Sequence, residues 1–469
     1  MKIKNLPTLF IAVIVFCLWC AAHADAQTGL LLTVNNSGDS VDAVPGDGAC
    51  ADSSGRCTLR AAIDEANTTS EFSAIIFDLP NPTAIDLTLG ELSIQKNFDI
   101  VGPGARRLTV RRSSAPGTPN FRVFRAPAGQ TSANIRGLTI QNGNDVTGGG
   151  ILIESGRIVS LIDVAVRGNR AAADGGAIAV SGRLTVLRCL IESNIADNQG
   201  GAIKIFAGAP ATTVTSSTFT GNTASVGGAI YNEGGLLLVN DTISGNSASM
   251  GSSSIYSGST GNVQVLNTII GRDLFQTVSS ISGRFQTLGN NIVTDSTGST
   301  GFTNGVNGDQ VSQNNAIDPL LGSLANNGGQ TDTLALLPGS PAINTGNACA
   351  RTGPCPQLPG IFFQNSRDQR RFIRSPSAKA LDVGAFAVST AIISPNATFG
   401  LSFSGLGGTR HYGSIVSIID ATTLARRYAL LRLNGGFSFQ GLPLADAFVV
   451  EIKSKRSGML TPFVFGLDR

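Results

Sequence analysis

Histidine is nearly absent from this 469-residue chain: only His23 and His411 occur, and tryptophan occurs once, at Trp19. No imidazole lies between them, so serine or cysteine hydrolases that use histidine as general base are excluded from the body of the chain. Charge is thin as well. Asp, Glu, Lys and Arg make up 14% of the residues, and the net charge of +3 includes Lys2 and Lys4 of an N-terminal leader. What remains is close to neutral, which excludes nucleic-acid recognition through a strongly basic face. Aromatics are few, with 23 Phe against 4 Tyr, so an aromatic-rich sugar-binding platform is not expected. The one pronounced apolar run, Leu9 to Trp19, is too short for a comfortable membrane span. With Lys2 and Lys4 before it and Ala22-His23-Ala24 or Ala24-Asp25-Ala26 after it, it reads as a signal peptide over 1–26. Leu18-Trp19 ahead of Cys20 does not suit lipoprotein cleavage, so release rather than lipid anchoring is expected. No later stretch is long and apolar enough to cross a membrane.

Cysteine is sparse too. Of seven, Cys17 and Cys20 fall in the leader, Cys50 and Cys57 form one close pair, Cys349 and Cys355 another, and Cys189 stands alone. In an exported chain the pairs are expected to be local disulfides, each closing a short loop. Zinc is the competing reading, but neither pair has CxxC spacing and His411 is the single histidine left after cleavage. Cys189, in the apolar run LTVLRCLIES, is expected to be a buried thiol.

What the chain has in abundance is glycine, 57 residues, much of it in one recurring phrase. GGGILIESG begins at Gly148, GGAIAVSG at Gly175, GGAIKIFAG at Gly200 and GGAIYNEGG at Gly227. Each is followed by aliphatic residues and then by a hydrophobe three positions before an asparagine: Val166 and Asn169, Ile191 and Asn194, Phe219 and Asn222, Ile243 and Asn246. The isoleucines after the glycines fall at 151, 178, 203, 230 and 255, at spacings of 27, 25, 27 and 25. Such a period is too short for a domain and too long for a hairpin; it belongs to a solenoid. Alternating residues predict strands, and the Gly and Asn clusters predict turns. One coil cannot bury its apolar side alone, but stacked coils can. Equivalent residues then form columns with a repeat of about 4.8 Å. Asn169, Asn194, Asn222 and Asn246 are expected to form a ladder of amides bonded from coil to coil, with a ligand role as the alternative.

The GGAI phrase with its hydrophobe-x-x-Asn, most complete at Phe219-Thr220-Gly221-Asn222, resembles the repeats of polymorphic outer membrane proteins and of right-handed parallel β-helix proteins generally. The resemblance implies an all-β chain built on a right-handed, pectin-lyase-like parallel β-helix, here over 74–317. That superfamily includes pectate lyases and polygalacturonases, but also adhesins and tailspikes, so it speaks for architecture and not for chemistry.

Residues 27–73 should cap the first coil. Leu59, Ala62, Ile63 and Ala66 recur at helical spacing behind Thr58 as N-cap. The run Cys57-Thr58-Leu59-Arg60-Ala61-Ala62-Ile63 resembles the CSLREAI-type N-terminal domain of exported bacterial β-helix proteins, departing at Thr58 and Ala61. Such a helix would cover the unpaired edge of the first coil. Asp39, Asp42, Asp47 and Asp52 in the loop before it read as turn residues, with calcium as the alternative. Looser strands follow at Ile75–Phe77, Ile85–Leu87, Leu92–Ile94, Phe98–Val101 and Leu108–Val110. Arg106, Arg107, Arg111 and Arg112 read as a solvated edge, or as a contact for an anionic glycan. In the regular coils, alignment places Asp163, Arg188, Ser216 and Asn240 in one column, making Asp163 and Arg188 an expected exposed ion pair. Ala207–Pro210 should protrude as a loop.

Residues 318–391 resemble the choice-of-anchor type module through Asn327-Gly328-Gly329-Gln330-Thr331 and Pro338-Gly339-Ser340-Pro341-Ala342-Ile343, departing from it at Arg371 and Ala387. The resemblance implies a cap at the far end of the solenoid. Arg367, Arg370, Arg371 and Arg374 read as a solvated loop rather than a polyanion site. From 392 to 469, closely spaced short strands predict a small β-sandwich. NGGFSFQGLPLADAFVVEIKSKR there resembles the non-catalytic carboxypeptidase regulatory-like module.

Glycoside hydrolysis on this fold needs carboxylates about 5–10 Å apart on one face. The candidates Asp163, Glu192 and Asp241 fall at three different column positions. A pectate-lyase-like site needs clustered aspartates and an arginine base, yet Asp174, Asp197 and Arg170 stand one to a turn. The expected function is therefore a secreted or cell-surface rod that is adhesive, structural or glycan-binding, without a cofactor. Polysaccharide or another surface component is its expected partner. A polysaccharide lyase or glycoside hydrolase is the alternative.

Overall fold

The computed structural model describes residues 30–69, 72–271, 273, 278–352, 355, 367–374, 381–388 and 390–391, together with the backbone of six strands between 399 and 466. The expected leader, with Cys17, Cys20 and His23, lies outside the described residues, as does His411.

Parallel pairing stacks the repeats in the expected register. Ile151, Ile178, Ile203, Ile230 and Ile255 pair in one column. Val166, Ile191, Phe219 and Ile243 pair in another. A typical coil passes through the strands Ile178–Val180, Arg183–Leu187, Leu190–Glu192 and Ile195–Ala196. Strands of the first two kinds join in an 18-stranded sheet, those of the third form a 10-stranded sheet, called the flank below, and those of the fourth a 5-stranded sheet. Three left-handed residues turn this coil, at Arg188 (φ 55°), Ser193 (φ 53°) and Gly200 (φ 66°). The paired glycines divide their duties. Gly175 supplies a positive φ of 67°, which glycine adopts without strain. Gly176 permits close approach, since a Cβ there would lie 2.2 Å from the Gly201 carbonyl oxygen.

One continuous apolar core runs from Leu32 to Val311 and takes in Leu59, Ala62, Ile63 and Ala66 of the helix Leu59–Thr68. Thr58 caps that helix, its Oγ1 accepting the Ala61 N–H at 3.0 Å. Leu31–Val34 pairs in parallel with Ser73–Phe77, and the helix packs its apolar residues into the same core. The looser strands also lie where the alternation places them, at Thr83–Leu87, Leu92–Ser93, Phe98–Val101 and Leu108–Arg112. The insertion at 207–210 is a turn whose Ala209 points back into the core while its neighbours are exposed. Among the described residues no helix is long and apolar enough to cross a membrane.

The described part of 318–388 forms a strap that returns along the flank. Near the last coils, the N–H of Asn347 donates to Asn267 Oδ1 at 2.7 Å and Asn290 Nδ2 to the Thr345 carbonyl at 2.8 Å. Further back, Ala385 N–H reaches Thr242 Oγ1 at 3.0 Å and Gln369 meets Thr218 at 2.6 Å. At the N-terminal end Arg106 pairs with Asp332 at 2.5 Å. The strap thus spans seven inter-coil steps, about 34 Å. The physical reason is the outward side of the flank strands, where Ala165, Leu190, Ile269 and Ile292 are apolar and need cover. Leu321, Leu324, Leu334, Leu336 and Val383 of the strap supply it.

The C-terminal strands pair antiparallel in two sheets, of two and four strands. Five of the six lie where expected. The other is Arg426–Leu430 rather than 429–433, its register set by pairing Ile415 with Leu430 and Ile419 with Arg426.

Candidate functional site

The asparagines of the repeat form the expected ladder. Asn169 Nδ2 donates to Asn194 Oδ1 at 3.0 Å, Asn194 Nδ2 to Asn222 Oδ1 at 3.0 Å, and Asn222 Nδ2 to Asn246 Oδ1 at 2.9 Å. Each Oδ1 also accepts the backbone N–H of the preceding rung, at 3.0–3.1 Å. All four residues are buried, so the corner carries its polar groups through the core with their bonds made. The next rung is Asp273, which accepts the Asn246 N–H at 3.2 Å and the Ser254 hydroxyl at 2.9 Å. Burial pushes the Asp273 carboxyl up to about 6.

A second ladder escapes the sequence reading. Cys189 N–H donates to Ser217 Oγ at 3.0 Å and Ser217 N–H to Asp241 Oδ1 at 2.8 Å. It continues from Asp241 N–H to Thr268 Oγ1 at 3.3 Å, Thr268 N–H to Asn291 Oδ1 at 3.0 Å and Asn291 N–H to Asp309 Oδ1 at 2.9 Å. Every rung sits two residues before an aligned hydrophobe, which is the signal that could have revealed it. The changing side chain, Cys, Ser, Asp, Thr, Asn, Asp, hides the column because only its acceptor function repeats.

This ladder decides the standing of Asp241. The residue is fully buried, its Oδ2 accepts the Val239 N–H at 2.9 Å, and burial pushes its carboxyl well above the usual range. A raised acid is suggestive of catalysis, but both oxygens of this one are occupied by backbone donors. Asp163 lies three coils away in the column of left-handed corners, about 14 Å along the axis. Glu192 ends a flank strand and pairs with Arg167 at 3.6 Å. Its carboxyl is raised by burial, which Arg167 opposes and Asp332 reinforces. The fold therefore does not bring the three candidates together.

Asp163 and Arg188 do pair, but not as an exposed bridge. Their side chains are 2% and 5% exposed, and the strap adds a second guanidinium. Arg188 donates to the two carboxylate oxygens at 2.9 and 3.1 Å, and Arg371 at 3.2 and 2.6 Å. Burial alone would raise the Asp163 carboxyl; Arg188 and Arg371 outweigh it and hold the group well below the usual range. The arginines read as a solvated loop are thus committed. Arg370 binds Asp368 at 2.6 Å, and Arg374, 1% exposed, donates to the carbonyls of Asp382 and Gly384. Of the earlier arginine cluster, Arg111 holds Asp86 at 2.7 Å and Arg112 the Asn142 carbonyl at 3.1 Å, while Arg107 is exposed.

Cys50 is bonded to Cys57 and Cys349 to Cys355, and Cys189 is a buried free thiol pushed up to about 12 by burial. All four loop aspartates are engaged within the cap, Asp42 by accepting the Val44 N–H at 3.1 Å. Asp39 binds Arg60 at 2.8 Å, Asp47 the Ala49 N–H at 2.8 Å, and Asp52 the Ser54 N–H at 2.9 Å. Among the described residues no three His, Cys, Asp or Glu side chains converge as a metal site.

Two aromatic side chains meet on the outer side of the coils. Two of the four tyrosines, Tyr231 and Tyr256, occupy one outward column, and their rings stack with centroids 4.9 Å apart. Lys204 precedes them in the column, its Nζ 3.9 Å from the Tyr231 centroid and 2.6 Å from both Glu233 and Gln199. Ser282 follows Tyr256, so the stack ends beside a small side chain. Register put these rings together; two tyrosines 25 residues apart become neighbours when the coil is 25 residues long.

Residues 216–233 match the Chlamydia polymorphic membrane protein (Chlamydia_PMP) repeat. The matched stretch begins at the left-handed corner Ser216, contains the ladder residue Asn222, and ends beside Tyr231 at Glu233. No curated protein matches the chain.

Proposed function

We propose that this chain is an exported, surface-associated β-solenoid that binds glycan and does not cleave it. The observation that carries the reading is the employment of its acids: Asp163 sits in a two-arginine clamp, Glu192 in a flank ion pair and Asp241 in a ladder. A hydrolase needs a pair of carboxylates free to exchange protons across one bond. The likeness to a membrane protein repeat supports a surface location, and two local disulfides suit an oxidising compartment. The Tyr231–Tyr256 stack, bordered by Lys204, Gln199 and Glu233, supports a sugar ligand, since aromatic rings beside polar side chains match the mixed surface of a pyranose.

A glycan array probed with the leader-free protein tests this reading. Retention of one glycan class, lost in Tyr256→Ala, is the expected result; no retention on any glycan overturns the ligand assignment. Incubation with acidic polysaccharides should release neither unsaturated nor new reducing ends. Their appearance would establish the lyase or hydrolase alternative.

A further inference from the structure

The N-terminal cap holds an acidic cluster whose charges are not all answered. Asp39 is answered by Arg60 and by the N–H groups of Thr88 and Leu89, at 2.6 and 2.8 Å. Glu65 accepts the N–H groups of Gly46 and Gly48 at 2.5 and 2.7 Å. Asp42 differs. It is 5% exposed, its Oδ1 accepts the Val44 N–H at 3.1 Å, and its Oδ2 is buried without a hydrogen-bond partner. Its own backbone N–H donates to Asp64 Oδ2 at 3.3 Å, which brings the Asp64 carboxylate against the main chain of Asp42. Arg60, the cation near them, is already spent on Asp39 and on the carbonyls of Gly90 and Glu91. Burial raises the Asp64 carboxyl; the Asp42 N–H bond and the Arg60 charge oppose the rise, and the Asp42 and Asp39 charges add to it. A buried carboxylate oxygen with neither donor nor counter-ion is costly.

We propose that Asp42 and Asp64 hold a calcium ion between the loop at 39–52 and the capping helix Leu59–Thr68. The donors are hard oxygens, and both nearby cysteine sulfurs are consumed in the Cys50–Cys57 disulfide, so a thiophilic metal finds no ligand. Two carboxylates supply part of the shell, and loop carbonyls and water complete it in the irregular geometry that calcium accepts and magnesium resists. The ion would tie the loop to the helix that closes the solenoid, so occupancy should be felt as cap stability.

Calorimetric titration of the EDTA-treated, leader-free protein with calcium chloride tests the assignment. One ion should bind with a dissociation constant of about 0.1–1 mM, typical of extracellular modules, with magnesium weaker. Asp42→Asn and Asp64→Asn should each weaken binding at least tenfold and abolish the calcium-dependent rise in melting temperature. Asp64 is the more exposed of the two, so its variant carries the test if Asp42→Asn does not fold. The proposal is overturned if up to about 10 mM calcium gives neither heat nor a melting shift. It is equally overturned if both variants bind calcium as the parent does.

Discussion

Removing the Asp163 carboxylate should release the strap from the middle of the flank. In Asp163→Ala, Arg188 and Arg371 would face each other across the vacated position with no anion between them. The Arg188 side chain is 5% exposed, so its charge would be left buried. Breaking a buried pair in this way costs about 3–5 kcal/mol. Arg371→Ala is the informative control. It removes the partner that is 18% exposed and leaves the Arg188 pair whole, so its cost should be about 1–2 kcal/mol. The order of the two variants follows from which charge each leaves stranded. Guanidinium unfolding followed by far-UV circular dichroism measures both, since the single tryptophan, Trp19, lies outside the described residues and offers no probe of the flank. The pH dependence has a definite sign. Asp163 sits below the usual aspartate value of 3.8 in the folded chain. Its contribution is therefore complete above that value and lost as pH falls through the lower, folded one. Asp163→Asn should lose this acid limb. Parent-like stability of Asp163→Ala, or an equal penalty for Arg371→Ala, would refute the reasoning.

The ladders make further predictions. Asn194→Ala removes the acceptor of the buried Asn169 N–H and the donor to the Val166 carbonyl. Its melting should show a loss of about 2–3 kcal/mol, and a neutral outcome would mean that the rungs are not coupled to stability. Asp273, raised to about 6 by burial, acts oppositely to Asp163. The fold binds its proton more tightly than the unfolded chain does, so stability should grow as pH falls from about 6 to about 4, by at most roughly 3 kcal/mol. Asp273→Asn supplies a neutral rung, and calorimetric melting across that window should show a shallower slope; an unchanged slope would remove Asp273 as its source.

The legibility of the chain tracks its periodicity. The isoleucine column, the asparagine ladder and the corner column of Asp163, Arg188, Ser216 and Asn240 can be read directly because each repeats one residue type or one spacing. The second ladder repeats a chemical function under several side chains, and it disappears from an alignment by identity. Tyr231 and Tyr256 look sparse in a composition and become a stack once register places them on successive coils. The burial of the Asp163–Arg188 pair is invisible in the sequence for a different reason: nothing within a coil reveals that another segment lies over it.

By itself the sequence determines the coil, its corners and its parallel stacking, because each coil's neighbour is close to a copy of itself, and local pattern and long-range pairing then carry the same information. The strap has no period. Arg371 reaches Asp163 across 208 residues because the chain turns back after the last coil and follows the apolar outer side of the flank. Only the tertiary structure decides which of these charges give up water together, since that depends on the fit between a repeating surface and a segment that does not repeat.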